Sequence, residues 1–257
     1  MSKSTSLNTD WLVGMEGLVS FWDFHRANGE EFVAKGPCPY RLKAMNGAPE
    51  RAEKGVFGDS SLHIRDGQWL SIPRQDCPEL NIYGPQAQLT VTAWVNRDRI
   101  DSTGCEFIAG IWNETARKRQ YGMFLNLRIW DSAEQVCGHV SAVGGPTPGY
   151  QYCMTSSIGA TPVTKGKWHF VAFTYDGNEA RSYLDGVLDR REQYNPYHYP
   201  DGLFDGGEDG ADFTVGAVDR SGEIGNFYNG LLGGLAVFNR ALAEDEIMLL
   251  HQSSMGK

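Results

Sequence analysis

Residues 167–188 read KWHFVAFTYDGNEARSYLDGVL. The apolar pattern has a period of two: Val171, Phe173 and Tyr175 fall on one side of the chain, and Phe170, Ala172 and Thr174 on the other. Asp176-Gly177 and Asp185-Gly186 then supply pairs that tolerate positive φ in tight hairpin turns. The stretch therefore predicts a strand, a turn, a second strand and a turn into a third. It writes a sheet.

The same reading extends outward in both directions. Residues 18–24 (LVSFWDF) alternate well enough to form an opening strand, and residues 27–60, rich in Gly, Pro, Lys and Glu, read as loops with short strands. Residues 62–72 predict a hairpin turning at Asp66-Gly67. In LTVTAWV (89–95), Leu89, Val91, Ala93 and Val95 make an aliphatic face, and Thr90, Thr92 and Trp94 make a polar-aromatic one expected outside. That combination suits an all-β, two-sheet antiparallel jelly-roll sandwich. Near the end, Ala243 precedes Glu244, Asp245 and Glu246 in a short helix expected to run to about residue 252. Alanine at the helix cap forgoes a side-chain hydrogen bond worth roughly 1 kcal/mol, and the acidic first turn partly offsets the loss through the helix dipole.

A chain of 257 residues can bury one large core, since β sandwiches commonly reach about 200–250 residues as a single domain. The expected organisation is an N-terminal extension over 1–16, one domain over 17–252 and a tail over 253–257. A formal charge of −9 repels phosphate backbones and anionic membranes at long range, which argues against both as partners. Arg117, Lys118 and Arg119 form the one dense basic run and read as a solvated loop. No apolar run approaches the ~20 residues of a membrane helix. Five cysteines (38, 77, 105, 137 and 153) leave at least one thiol unpaired and form no CxxC pair, so reduced thiols are expected, with one or two disulfides left open. The first residues lack the apolar core of a secretory signal, which leaves an intracellular protein or a processed secreted one.

The middle of the chain carries the best candidate site. In YGMFLNLRI (121–129), Phe124, Asn126 and Arg128 share a face opposite Met123, Leu125 and Leu127. In QVCGHVSAV (135–143), Cys137, His139 and Ser141 lie together, and Tyr150, Tyr152 and Met154 follow on a third strand. Turns centred near residues 132 and 147 would bring Asn126 beside His139 and Tyr152 beside Ser141. Asn126, Arg128, His139 and Tyr152 would then line one groove. The loop QYNPYHYPDGLF (193–204) adds Tyr194, Tyr197, His198 and Tyr199, whose rings suit stacking on sugars. Trp112, Arg119, Tyr121 and Tyr150 are expected to extend the ligand-binding rim. The acidic loop DGLFDGGEDGAD (201–212) offers Asp205, Glu208, Asp209 and Asp212 as a candidate metal site without EF-hand spacing.

Read together, GLVSFWDF (17–24), SLHIRDGQWLSIP (61–73), LTVTAWV (89–95), the 167–188 stretch and GLLGGLAVFNRALAEDEI (230–247) resemble the laminin-G-like domains of the concanavalin A-like lectin/glucanase superfamily. The resemblance covers residues from about 17 to 250. It implies the jelly roll, pairing of the first strand with one near the C-terminus, and often a structural calcium held by carboxylates after the first strand and in the last. Here those positions read His25-Arg26 and Gly233-Gly234, so the usual calcium site looks lost, and no cofactor is required; Asp23 remains as an adjacent carboxylate. For function it implies recognition of a polysaccharide or oligosaccharide. Two alternatives stand beside it: a carbohydrate-active enzyme, either a glycoside hydrolase or a polysaccharide lyase with His139, Tyr152, Arg128 and Asn126 as catalytic groups, and a protein-adhesion module. No strand carries the alternating acidic residues of the glucanase branch.

Overall fold

The computed structural model describes residues 9–25, 31–65, 67–99 and 104–255. Two antiparallel sheets face each other. The first runs, in order, Val187–Leu188, Glu179–Leu184, His169–Tyr175, Leu89–Arg97, Gly230–Phe238, Ser61–Ile64 and Glu50–Ala52. The opening strand Leu18–Trp22 also pairs with Gly230–Phe238, and Tyr197–His198 pairs with Glu179–Leu184. The second sheet runs Ser156–Ile158, Val136–Val140, Lys118–Leu125, Glu106–Asn113, Phe213–Val215, Trp69–Ile72, Arg41–Met45 and Glu31–Val33, with Val218–Arg220 and Glu223–Gly225 attached beside it.

The 167–188 stretch folds as its alternation predicts. Val171, Phe173 and Tyr175 enter the core between the sheets with Leu89, Val91, Ala93 and Val95. Asp185 and Gly186 both have positive φ, at 48° and 83°, as a tight hairpin turn demands. The side chain of Asp176 closes the other turn by accepting from the backbone N–H of Asn178 and Glu179 at 2.9 and 2.7 Å.

Two expectations need correction. The polar-aromatic face of the 89–95 strand is covered rather than outside: Trp94 is fully buried in a second cluster with Phe170, Leu242, Ile247, Leu250 and Leu12. The C-terminal helix Glu244–Met255 and the short helix Asp10–Val13 supply that cover, and Trp94 Nε1 donates to Ser254 Oγ at 2.7 Å. A wide apolar indole has more to gain from burial than from water, on the order of 1.5–3 kcal/mol. The second correction concerns residues 62–72, which are not a hairpin. Ser61–Ile64 lies in the first sheet and Trp69–Ile72 in the second, so the connection crosses the sandwich; Asp66 lies outside the described residues.

The helix begins one residue beyond Ala243 and extends to Met255. Glu246 supplies half of a capping box, accepting from the Ala243 backbone N–H at 2.9 Å while Arg240 grips it through two nitrogens at 2.7 and 2.6 Å. The Arg240 hydrogen bonds hold the Glu246 carboxyl below its ordinary range. All five cysteines are unbridged.

Candidate functional site

A cavity of about 350 Å³ opens on the outer face of the second sheet, away from the core. Three adjacent strands build its floor: Glu106–Asn113 brings Trp112, Lys118–Leu125 brings Arg119 and Phe124, and Val136–Val140 brings His139. Tyr152 and Cys153 descend from the loop after the third strand, and Arg220 and Asn226 come from the far side. Gly122 lies directly opposite His139 in register. A Cβ there would stand 2.9 Å from the Phe107 ring and 3.1 Å from Phe124, so the absent side chain makes room for the rings. His139 rests against Trp112 and Phe124, with ring centroids 4.8 and 5.2 Å apart.

The polar groups are strained for partners. His139 Nδ1 lies 2.9 Å from the carbonyl of Thr155, which can only accept, so Nδ1 carries the proton and Nε2 is left as an acceptor. Burial, reinforced by Arg119 and opposed by Thr155 and Glu114, lowers the His139 pKa to about 4. The ring is neutral at pH 7. Arg119 is buried, its guanidinium 6.0 Å from the Trp112 ring centre and 3.7 Å from Glu114, with Nη1 donating to the Gly144 carbonyl at 3.4 Å. Its Nε and the indole Nε1 of Trp112 are buried with no partner. On the far side Arg220 Nη1 donates to Asn226 Oδ1 at 3.0 Å, and Asn226 Nδ2 donates to Glu114 at 3.4 Å. Burial raises the pKa of both cavity thiols, Cys105 and Cys153, which keeps them protonated near neutrality.

The register differs from the sequence expectation by four residues. His139 pairs with Gly122, and Asn126 lies past the end of its strand at φ 54°. Asn126 is fully buried; its Nδ2 donates to the Gly104 carbonyl at 2.8 Å and its Oδ1 accepts from Arg128 Nε at 3.2 Å. It therefore positions Arg128 at the rim instead of facing the cavity itself. The left-handed turn at Asn126 also ends the alternation, so Leu127 joins the cavity wall with Arg128. Tyr152 stands in a loop, half exposed, where a third strand was expected.

Tyr121 and Arg119 part company. Two residues apart, they would share a face in a regular strand, but a bulge between Ile111 and Trp112 in the pairing places Gln120 as an extra residue. Tyr121 consequently points into the core and donates to the Leu80 carbonyl at 2.7 Å, while Arg119 sits beside Trp112.

The aromatic loop 193–204 divides as well. Tyr197 and Tyr199 pack against the core over a sheet edge, with Tyr199 accepting from the Ala142 N–H at 2.8 Å; His198 is exposed. Tyr194 stacks on Trp130 at 6.1 Å, Trp130 meets Tyr150 at 5.9 Å, and Arg191 lies 4.7 Å over Tyr194. Trp130, Glu114 and Arg220 escaped the sequence reading. Trp130 directly follows the strand singled out, and its aromatic character was a usable signal. Arg220 is brought in from a distant segment, and nothing local marked it.

The acidic loop is organised by a cation. Arg74 is buried; its backbone N–H donates to Asp212 at 2.9 Å, its Nε donates to the Gly207 carbonyl at 3.1 Å, and Nη2 lies 3.7 Å from Asp205. Lys118 donates to the Asp209 carbonyl. Among the described residues no three metal-ligating side chains cluster. At the family's usual calcium position, Asp23 is paired with Lys35 at 2.6 Å and accepts from the His25 N–H. Gly233 offers no side-chain ligand there, a Cβ on it meeting Trp168 at 3.0 Å, and Arg26 lies outside the described residues.

Comparison with known proteins places the fold. Over 105 residues the chain is 32% identical to the calpain-type cysteine proteases DEK1 of Zea mays and ADL1 of Oryza sativa subsp. japonica, a match covering 37% of this chain and 5% of those proteins. Among solved structures, domain 4 of AbnA, a GH43 extracellular arabinanase from Geobacillus stearothermophilus in complex with arabinotriose, superposes with a TM-score of 0.58 at 15% identity, covering 91% of this chain and 98% of that one. Trypanosoma rangeli sialidase in complex with the inhibitor DANA gives 0.59 at 18% identity, over 93% of this chain and 33% of that one. At such identities the likeness is one of fold. The family profile described as the concanavalin A-like lectin/glucanases superfamily matches residues 66–248. With two sheets in the expected order and a profile spanning most of its length, the chain belongs to the laminin-G-like family of that superfamily.

Proposed function

We propose that the protein is a glycan-binding module that seats a short saccharide in the cavity over Trp112, Arg119 and His139. The observation that carries this reading is the pair of orphan donors, Trp112 Nε1 and Arg119 Nε, buried beside an open cavity with aromatic walls. An unsatisfied buried donor costs about 1–3 kcal/mol. Saccharide hydroxyl oxygens accept such bonds, the neutral His139 accepts from a hydroxyl in return, and the half-exposed Tyr152 offers a stacking surface at the mouth. The volume lies at the lower end of the ~300–1,000 Å³ typical of small-molecule sites.

The arabinanase domain with arabinotriose and the sialidase with its inhibitor support a saccharide as the ligand class, through fold alone. Binding is favoured over base catalysis by His139. A base with a pKa of about 4 is poorly matched to proton abstraction near neutrality. The test is a glycan array followed by calorimetry on the best ligand. Trp112→Phe, which deletes the Nε1 donor, and Tyr152→Ala, which removes the stacking surface, are each expected to weaken binding about 10-fold, the scale of one lost hydrogen bond or stacking contact. An array with no hit, or a hit whose affinity neither substitution changes, refutes the reading.

A further inference from the structure

We infer that the site has a second compartment, a pocket of about 130 Å³ that shares Trp112 with the cavity, and that the ligand is an oligosaccharide whose first sugar enters the cavity and whose next sugar rests over this pocket. The inference rests on the glycan-binding reading and extends it from one sugar to at least two. The same short stretches of chain build both spaces: Asn113, Asp219 and Ile224 line the pocket, and their near neighbours Glu114, Arg220 and Asn226 line the cavity. The Glu114 N–H laces two of those stretches together, donating to the Asp219 carbonyl at 2.8 Å. Pocket and cavity therefore lie side by side on one face of the second sheet.

The pocket has its own unpartnered polar group. Phe213 and Val215 enter the core, so alternation turns Thr214 outward. Thr214 is 8% exposed, and its Oγ1 is buried without a partner. A hydroxyl both donates and accepts, and a sugar hydroxyl answers either role. Beside it Asp219 accepts from Asn113 Nδ2 at 3.1 Å and from Thr115 Oγ1 at 2.6 Å, and Asp212 accepts from the Arg74 backbone N–H at 2.9 Å. Each carboxylate offers about four lone-pair sites, so both keep acceptor capacity for hydroxyl donors. The half-buried indole of Trp69 adds an apolar face on which a sugar ring can pack. A volume of about 130 Å³ has room for several waters and admits the edge of a sugar ring rather than a whole residue. The pocket thus continues a site that begins in the cavity and is too small to hold a saccharide by itself.

The test is dependence on ligand length. The intact chain is titrated by calorimetry with mono-, di- and trisaccharides of the arabinan, xylan, cellulose and galactan series. In at least one series the disaccharide should bind more tightly than the monosaccharide by about 10-fold or more, the scale of one added hydrogen bond or stacking contact. Thr214→Val, which deletes the hydroxyl at nearly constant shape, and Trp69→Ala, which removes the apolar face, should each bring the disaccharide down toward the monosaccharide. Thr214→Val also relieves a buried orphan, so its melting temperature should equal or exceed that of the wild type, which separates lost binding from lost fold. Mono- and disaccharides binding equally, with binding still weakened by Tyr152→Ala, overturn the second compartment and leave the glycan reading standing. A length gain that survives either substitution overturns its assignment to this pocket. No binding of any saccharide overturns both.

Discussion

Acid should destabilise this protein through His139, and the size of the effect follows from its surroundings. The ring is 3% exposed, packed between Trp112 and Phe124, and its pKa falls from 6.5 to about 4 because burial penalises the charged form. Between those values the unfolded chain binds a proton at this residue and the native state does not. Stability therefore rises with pH across the window, by up to about 1.4 kcal/mol per pH unit. The contribution is fully present above pH 6.5 and is lost as pH falls toward 4, a total on the order of 3 kcal/mol. Other groups titrate in the same range, so the comparison needs His139→Asn, whose amide N–H can replace the Nδ1 donor to Thr155 without a titrating proton. Urea unfolding of both proteins at intervals from pH 7 to pH 4.5 should show the wild type losing stability about 2–3 kcal/mol faster than the variant. Parallel pH profiles, or an NMR titration of His139 with a midpoint near 6.5, would refute the reasoning.

Two further outcomes test the scaffold under the site. Arg97 and Glu106 form a buried ion pair through nitrogens at 2.9 and 2.7 Å, on neighbouring elements behind the cavity floor; Glu106→Ala strands part of that guanidinium and should cost about 3–5 kcal/mol in chemical denaturation. Gly138, beside His139, faces Phe173 across the sandwich, and a Cβ there would stand 2.0 Å from the ring. Gly138→Ala should therefore lower stability by about 1–3 kcal/mol or more through overpacking, whereas Gly145→Ala, whose Cβ meets nothing nearer than 4.0 Å, should be close to neutral in the same thermal melts.

The strand content was legible because each strand keeps its own alternation. The faces of His169–Tyr175 and Leu89–Arg97 follow from counting by two, and the pairing of His169–Tyr175 with Glu179–Leu184 follows from the Asp176-Gly177 turn between them. Less of the cavity was legible. Arg128, His139, Tyr152, Trp112 and Arg119 were each singled out in the sequence and all line it, yet the register that joined them was assumed from turn positions, and the true pairing is four residues away. Asn126, Tyr121, Tyr197 and Tyr199 were read as ligand-facing and are engaged in structural hydrogen bonds or core packing.

The sandwich, its aliphatic core and the hairpin over residues 169–184 were settled by the amino-acid sequence, since side-chain period and turn chemistry act over a few residues. Which groups share the cavity was settled only by the tertiary structure. A bulge sends Arg119 and Tyr121 to opposite faces, a left-handed residue at Asn126 ends one alternation, and Arg220 arrives from about a hundred residues away. Each of these depends on packing between segments that are distant in the chain, and local periodicity carries no record of it.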